Sequence, residues 1–171
     1  MWSGRKGSLQ LLLSLSGKLA LSQGDIATAR RLLEKSLVIN REIGNREHIA
    51  DSLFYRARVE VQQGDNGAAR VLYEESLAIA ARGGDSKGLI PSCLEGLADV
   101  VAAQGEFTWA ARLLGTAEEL REALGTPLPP VGRPIYEQAV AAVRVQLGEK
   151  AFAEAMAEGR SMTAEQALAA Q

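Results

Sequence analysis

The sequence predicts an all-α chain, a solenoid of three to four helical hairpins with a period of about 40 residues and a capping helix at the C-terminus. Three observations predict it. The tripeptide Gln23-Gly24-Asp25 returns as Gln63-Gly64-Asp65, as Gln104-Gly105-Glu106 and, more weakly, as Leu147-Gly148-Glu149. Twenty residues after each of the first three glycines stands another glycine: Gly44, Gly84 and Gly125. Hydrophobic residues make up 47% of the 171 and aromatics only 5%, so alanine and leucine carry the apolar content, as closely packed helices require. Self-similarity at a fixed spacing is the signature of stacked supersecondary units.

Residues 1–7 read as an N-terminal tail. Arg5 and Lys6 ahead of the run Leu9 to Leu15 imitate a secretory signal, but Gly17 and Lys18 interrupt the apolar stretch. No run reaches the roughly 20 apolar residues that a membrane span needs. Residues 8–125 then read as three hairpins, with turns at Gly24, Gly44, Gly64, Gly84, Gly105 and Gly125 separating helices of about 18 residues. Each glycine suits the left-handed residue that ends a helix, while Asp25, Asp65 and Glu106 place an acceptor or negative charge at the next helix start.

The columns between these marks describe the packing. Seven residues before each turn glycine stand Gly17, Ala57, Ala98 and Ala141; five after it stand Ala29, Ala69, Ala110 and Ala153. Only small side chains hold both positions, as a close helix crossing requires. Around them run large apolar columns: Leu13, Leu53 and Leu94; Leu19, Val59, Val100 and Val143; Leu32, Leu72, Leu113 and Met156. Residues 126–134, with Pro127, Pro129, Pro130 and Pro134, read as a stiff connector. Residues 135–171 read as a degenerate fourth hairpin followed by a short closing helix over Ala164 to Ala170, started by a capping box of Thr163 and Gln166.

The small-residue columns and Gly-Asp turns resemble the tetratricopeptide repeat, with helices slightly longer than in its form of about 34 residues. HEAT-type repeats share the period, but the Gly-Asp turn with its flanking small residues favours the tetratricopeptide reading. The resemblance implies a right-handed superhelix whose first helices line a concave groove. The stretch from Leu113-Leu114-Gly115-Thr116 through Gly125-Thr126-Pro127-Leu128-Pro129-Pro130, followed by Tyr136-Glu137, Leu147-Gly148, Phe152-Ala153 and Glu158-Gly159-Arg160, is more specific. It resembles the C-terminal repeat region of large multidomain bacterial signalling regulators of the LuxR/STAND type. There such repeats end the chain as a sensor arm. Met156 stands where that family often carries tryptophan, and these 171 residues match only the repeat region, so the resemblance implies sensing or scaffolding and carries over no ATPase or DNA-binding activity.

Charge and composition narrow the function. Nineteen basic against 21 acidic residues leave a formal charge of −2, no field for concentrating nucleic acid or an anionic membrane. The lone Cys93 cannot form an internal disulfide, which reads as a cytoplasmic chain. His48 and Cys93 belong to different hairpins, so neither a nucleophile–base pair nor a metal site is expected. Gly83-Gly84-Asp85-Ser86-Lys87-Gly88 has a phosphate-loop flavour without the GxxxxGK[ST] spacing, and it follows a helix rather than a strand. No enzyme activity and no cofactor are expected.

What remains is a binding role. Positions thirteen, ten, six and two or three before each turn glycine keep to one helical face. They hold Lys18, Asp51, Phe54, Arg58, Gln62, Glu95 and Asp99, with Gln138 and Gln146 in the fourth unit. A protein or peptide segment is the expected partner of this groove; a merely solvated inner face is the alternative. The chaperone-tail clamp of co-chaperone repeats is disfavoured, because Ser14, Lys18, Tyr55, Ser92 and Gly96 stand where that clamp concentrates lysines, asparagines and an arginine. Leu9, Leu11, Leu12, Leu13 and Leu15 make the first helix apolar on more than one face. Either the chain is the tail of a longer array or that surface pairs as a homodimer. A small-molecule sensor is a third reading, which would need an enclosed apolar pocket.

Overall fold

The structure, a computed structural model, describes residues 2–82, 85–130 and 133–171. Among the described residues the chain is α-helical with no strand. It divides into two compact units, Met1–Gly84 and Asp85–Gln171.

The first unit holds two hairpins, α1 (Trp2–Ser22) with α2 (Ile26–Ile43) and α3 (Arg46–Gln62) with α4 (Asn66–Ala81). The expected tail over residues 1–7 is corrected: α1 is helical from Trp2. No proline interrupts those residues, and Lys6 is anchored to Glu42 of α2 at 2.7 Å. The turns follow the glycine pattern. Gly24 and Gly64 adopt φ of 78° and 80°, conformations that cost a residue with Cβ far more. Asp25 and Asp65 then accept hydrogen bonds from the backbone N–H of Thr28 at 3.1 Å and of Ala68 at 2.9 Å. Between hairpins, Gly44 is left-handed and its N–H donates to the Asn40 and Arg41 carbonyls. Gly84, and with it part of the stretch resembling a phosphate loop, lies outside the described residues; Asp85–Gly88 form a 3₁₀ turn.

The small columns make the close crossings. Ala29, Ala57 and Ala69 are fully buried, and a Cβ on Gly17 would come within 2.8 Å of Leu33 Cγ. A second repeated device links each pair: Ser36 Oγ donates to the Gln10 carbonyl, and forty residues on Ser76 Oγ donates to that of Ala50. Asn40 of α2 donates to the His48 carbonyl and to Ser52 Oγ, joining the first hairpin to the second. One expected core position is corrected. Leu19 is 58% exposed although Val59 in its column is fully buried, because α2 covers α3 on that side and nothing described covers α1 there.

The second unit holds α5 (Leu89–Ala103), α6 (Phe107–Leu124), α7 (Arg133–Leu147), α8 (Glu149–Arg160) and α9 (Ala164–Ala169). The α5–α6 hairpin follows the repeat, with Leu94, Ala98, Val100, Ala110 and Leu113 buried. Glu106 starts α6 without a side-chain cap bond. Thr126 to Pro130 are non-helical and α7 begins at Arg133, so Pro134 sits in its first turn, where its missing N–H costs no hydrogen bond. The fourth repeat departs from its pattern: Ala141 and Ala153 are exposed. Instead α8 packs on α6, and α9 closes the unit with the expected capping box. Trp109 Nε1 donates to the Ala167 carbonyl at 2.8 Å, fastening α9 to α6.

Candidate functional site

Lys18 on α1 and Asp51, Phe54, Arg58 and Gln62 on α3 fall in the first unit. The α3 residues recur three to four apart and share a helical face. Lys18 joins them: its ammonium lies 2.6 Å from Asp51 Oδ2 and 4.3 Å from the centroid of the Tyr55 ring. The Arg58 guanidinium lies 5.7 Å from the same ring. Phe54 stands almost perpendicular to Tyr55 at 5.2 Å and tilts toward Tyr73 of α4 at 5.8 Å.

Tyr55 is therefore the centre of the cluster, a residue the sequence marked only as unsuited to a chaperone clamp. The two cations on it differ. Lys18 is committed to Asp51, whereas Arg58 is exposed and, among the described residues, has neither an ion pair nor a hydrogen bond. A ring face holds a guanidinium by its quadrupole without neutralising the charge. Gln62 is exposed at the end of the same face.

On another face of α3 lies a charge network that the sequence reading missed. Glu60, only 3% exposed, is reached by Arg56 at 2.9 Å and Arg30 of α2 at 3.5 Å, and Arg56 also meets Glu34 at 3.3 Å. The signal available was the i,i+4 spacing of Arg56 and Glu60. The network crosslinks α2 and α3 and leaves little charge for a ligand.

Glu95 and Asp99 lie on α5 of the second unit, and their environments differ. Glu95, expected on the groove floor, is gripped by Arg121 of α6 through two bonds of 2.5 and 2.8 Å. A fork of this kind is the strong form of ion pair; it holds the Arg121 pKa up and neutralises Glu95 within the fold. Beside it, Tyr136 lines a pocket of about 380 Å³ with Glu118, Pro127 and Leu128. Burial first, then the negative charges of Glu118 and Glu95, push its phenol pKa up to about 12. Asp99 borders a cleft of about 510 Å³ lined by Ala102, Phe107, Ala142, Val143 and Gln146. Asp99 is exposed at the rim of this cleft, and partial desolvation there raises its carboxyl pKa. Of the expected row of Lys18, Arg58 and Asp99, the first two are cations around one ring of the first unit and Asp99 belongs to the second unit.

His48 and Cys93 belong to different units. The His48 backbone N–H donates to Asn45 Oδ1, the N-cap of α3, and Cys93 is buried. Among the described residues no three of His, Cys, Asp and Glu gather as metal ligands, and no helix is long and apolar enough to cross a membrane.

The tetratricopeptide repeat family model matches residues 8–82, the two hairpins of the first unit. Such repeats are non-catalytic and generally mediate protein–protein interaction. No curated protein and no solved structure matches the chain.

Proposed function

We propose that the chain is a non-catalytic protein-interaction module that docks an acidic peptide segment on the α1–α3 face of the first unit. The observation that carries this reading is Arg58: an exposed guanidinium stacked on Tyr55 with no acidic partner of its own. A carboxylate of the ligand completes that pair, and Phe54 and Tyr55 supply the apolar contact beside it. Lys18 and Asp51 neutralise each other and position Tyr55, so they contribute shape more than charge. Gln62 extends the face with a neutral donor and acceptor. Asp99 and Glu95 are not needed for this site.

The wider role is that of a sensor or scaffold arm of a bacterial signalling or transcription regulator, acting in the cytoplasm. Supporting it are the resemblance carried by Leu113 to Arg160 and the interaction role of the repeat family. Selection of binders from a random peptide library tests the site. It should enrich Asp or Glu close to an apolar residue with the native chain and lose that enrichment with Arg58→Glu. An enrichment unchanged by Arg58→Glu and Phe54→Ala together overturns the reading.

A further inference from the structure

The outer side of α1 is left bare by the rest of the first unit. Leu9, Leu11, Leu12, Leu15 and Leu19 are each exposed by half or more, and no charged residue stands between Gly7 and Gly17. The repeat identifies what kind of surface this is. Forty residues on, Leu12 and Leu19 correspond to Ser52 and Val59, both fully buried. Val59 packs in one cluster with Ala29 and Leu33, and Ser52 is bonded to Asn40 of α2. The bare arc of α1 is therefore the side by which a helix of this repeat receives another helix.

Its side chains are not those the repeat uses there. Leu12 replaces the small Ser52, Leu15 replaces Tyr55 and Leu11 replaces Asp51. A helix seated as α2 sits on α3 would meet bulk where the second hairpin has a hydroxyl. Leu12, Leu15 and Leu19 instead follow at i, i+3 and i+7, and Ser8 and Ser22 continue the same alternation of four and three at either end. That is the spacing of a seam in which two like helices interlock.

We propose that α1 is a self-association helix: two copies of the chain pair through Leu12, Leu15 and Leu19, antiparallel about Leu15. Leu12 of one copy then packs beside Leu19 of the other. Arg5 comes next to the second copy's α1 C-terminus, where the helix dipole and the exposed Asp25 are both negative. Parallel pairing would set Arg5 against Arg5. The other two cations of α1 are neutralised within their own copy, Lys6 by Glu42 and Lys18 by Asp51. A leucine patch of this kind covers on the order of a few hundred Å², the size of the largest patch on a typical monomer, which is often a contact surface. Two of them bury less than the roughly 1,600 Å² of a standard interface, so the dimer is reversible and dissociates on dilution. This pairing uses residues that the peptide site does not.

Sedimentation velocity of the full chain over a concentration series tests it, with Leu15→Lys, Leu12→Lys and, on another helix, the exposed Val71→Lys. The expected result is a monomer–dimer equilibrium that Leu15→Lys and Leu12→Lys each weaken at least tenfold and Val71→Lys leaves unchanged. Circular dichroism verifies that each variant keeps its helices. Orientation is read by oxidising a mixture of Leu12→Cys and Leu19→Cys chains, which should crosslink to each other in preference to their own kind. A monomer at every concentration, a dimer indifferent to both lysines, or preferential crosslinking of like chains overturns the proposal.

Discussion

The Thr116 hydroxyl of α6 donates to the Gly159 carbonyl of α8 at 2.7 Å, at a crossing where the two helix backbones touch. A Cβ on Gly159 would overlap the Arg112 carbonyl, and one on Gly115 would overlap that of Met156. Both obstacles are backbone and cannot rotate aside. Gly115→Ala and Gly159→Ala should therefore each destabilise the second unit by about 1–3 kcal/mol or more, the range for overpacked cores. Thr116→Val should cost less, about 0.5–1.5 kcal/mol, because the Gly159 carbonyl keeps its bond from the Met162 N–H at 3.0 Å. Urea denaturation measures all three, with Gly7→Ala as the comparison, because a Cβ there meets nothing within 4 Å.

Ala69 and Ala98 fill the small column of the hairpin crossings and are essentially unexposed. Replacing either by leucine should lower stability by about 1–3 kcal/mol, since the helix axes must separate. Gln62→Leu, at an exposed position of α3, should change it by no more than about 0.5 kcal/mol. Equal shifts at the three positions in thermal melts would contradict this division of faces.

Arg58 offers the clearest separation of binding from folding. Arg58→Glu should weaken a captured peptide at least tenfold, about 1.4 kcal/mol, while the melting temperature stays nearly constant because the guanidinium answers no carboxylate in the folded chain. Glu75→Lys is the control, disturbing only an exposed pair with Arg41. Isothermal titration calorimetry with a library-selected peptide reads the difference.

Asp99 should give a pH signature. Its carboxyl pKa is raised above the ordinary 3.8 by partial desolvation, so the folded chain holds that proton more readily than the unfolded one. Ionising it then costs stability. The cost is absent well below pH 3.8, grows as pH rises between that value and the raised native one, and stays constant above. Asp99→Asn should match the native chain in acid and exceed it at neutral pH, as followed by urea melts across a pH series.

Much of the fold was legible because it rests on local rules. Glycines at one end of a turn and aspartates at the other report φ and capping demands that depend on a few neighbouring residues. The alanine columns report a crossing repeated three times. Where the repeat stops, the reading stops with it: the alanines of the fourth unit kept the spacing, yet Ala141 and Ala153 face solvent. Gly115 and Gly159 stood inside the stretch that resembled a regulator family, but their partnership joins residues 44 positions apart, and no periodicity connects them.

The candidate site divides in the same way. A register on α3 was enough to bring Asp51, Phe54, Arg58 and Gln62 to one face, since side-chain direction along a helix is set by 3.6 residues per turn. Register could not say which charges were already spent. Only tertiary packing gave Lys18 to Asp51 and Glu95 to Arg121, and only packing left Arg58 with an aromatic ring for company. The sequence by itself determined the helices, their turns and their inward faces, because those follow from backbone conformation and hydrophobic period. The leucine-rich first helix was legible too; the tertiary structure alone decided the crossing of α8 on α6, which of those leucines stay bare and the unanswered cation beside Tyr55, because each depends on which surfaces distant segments cover.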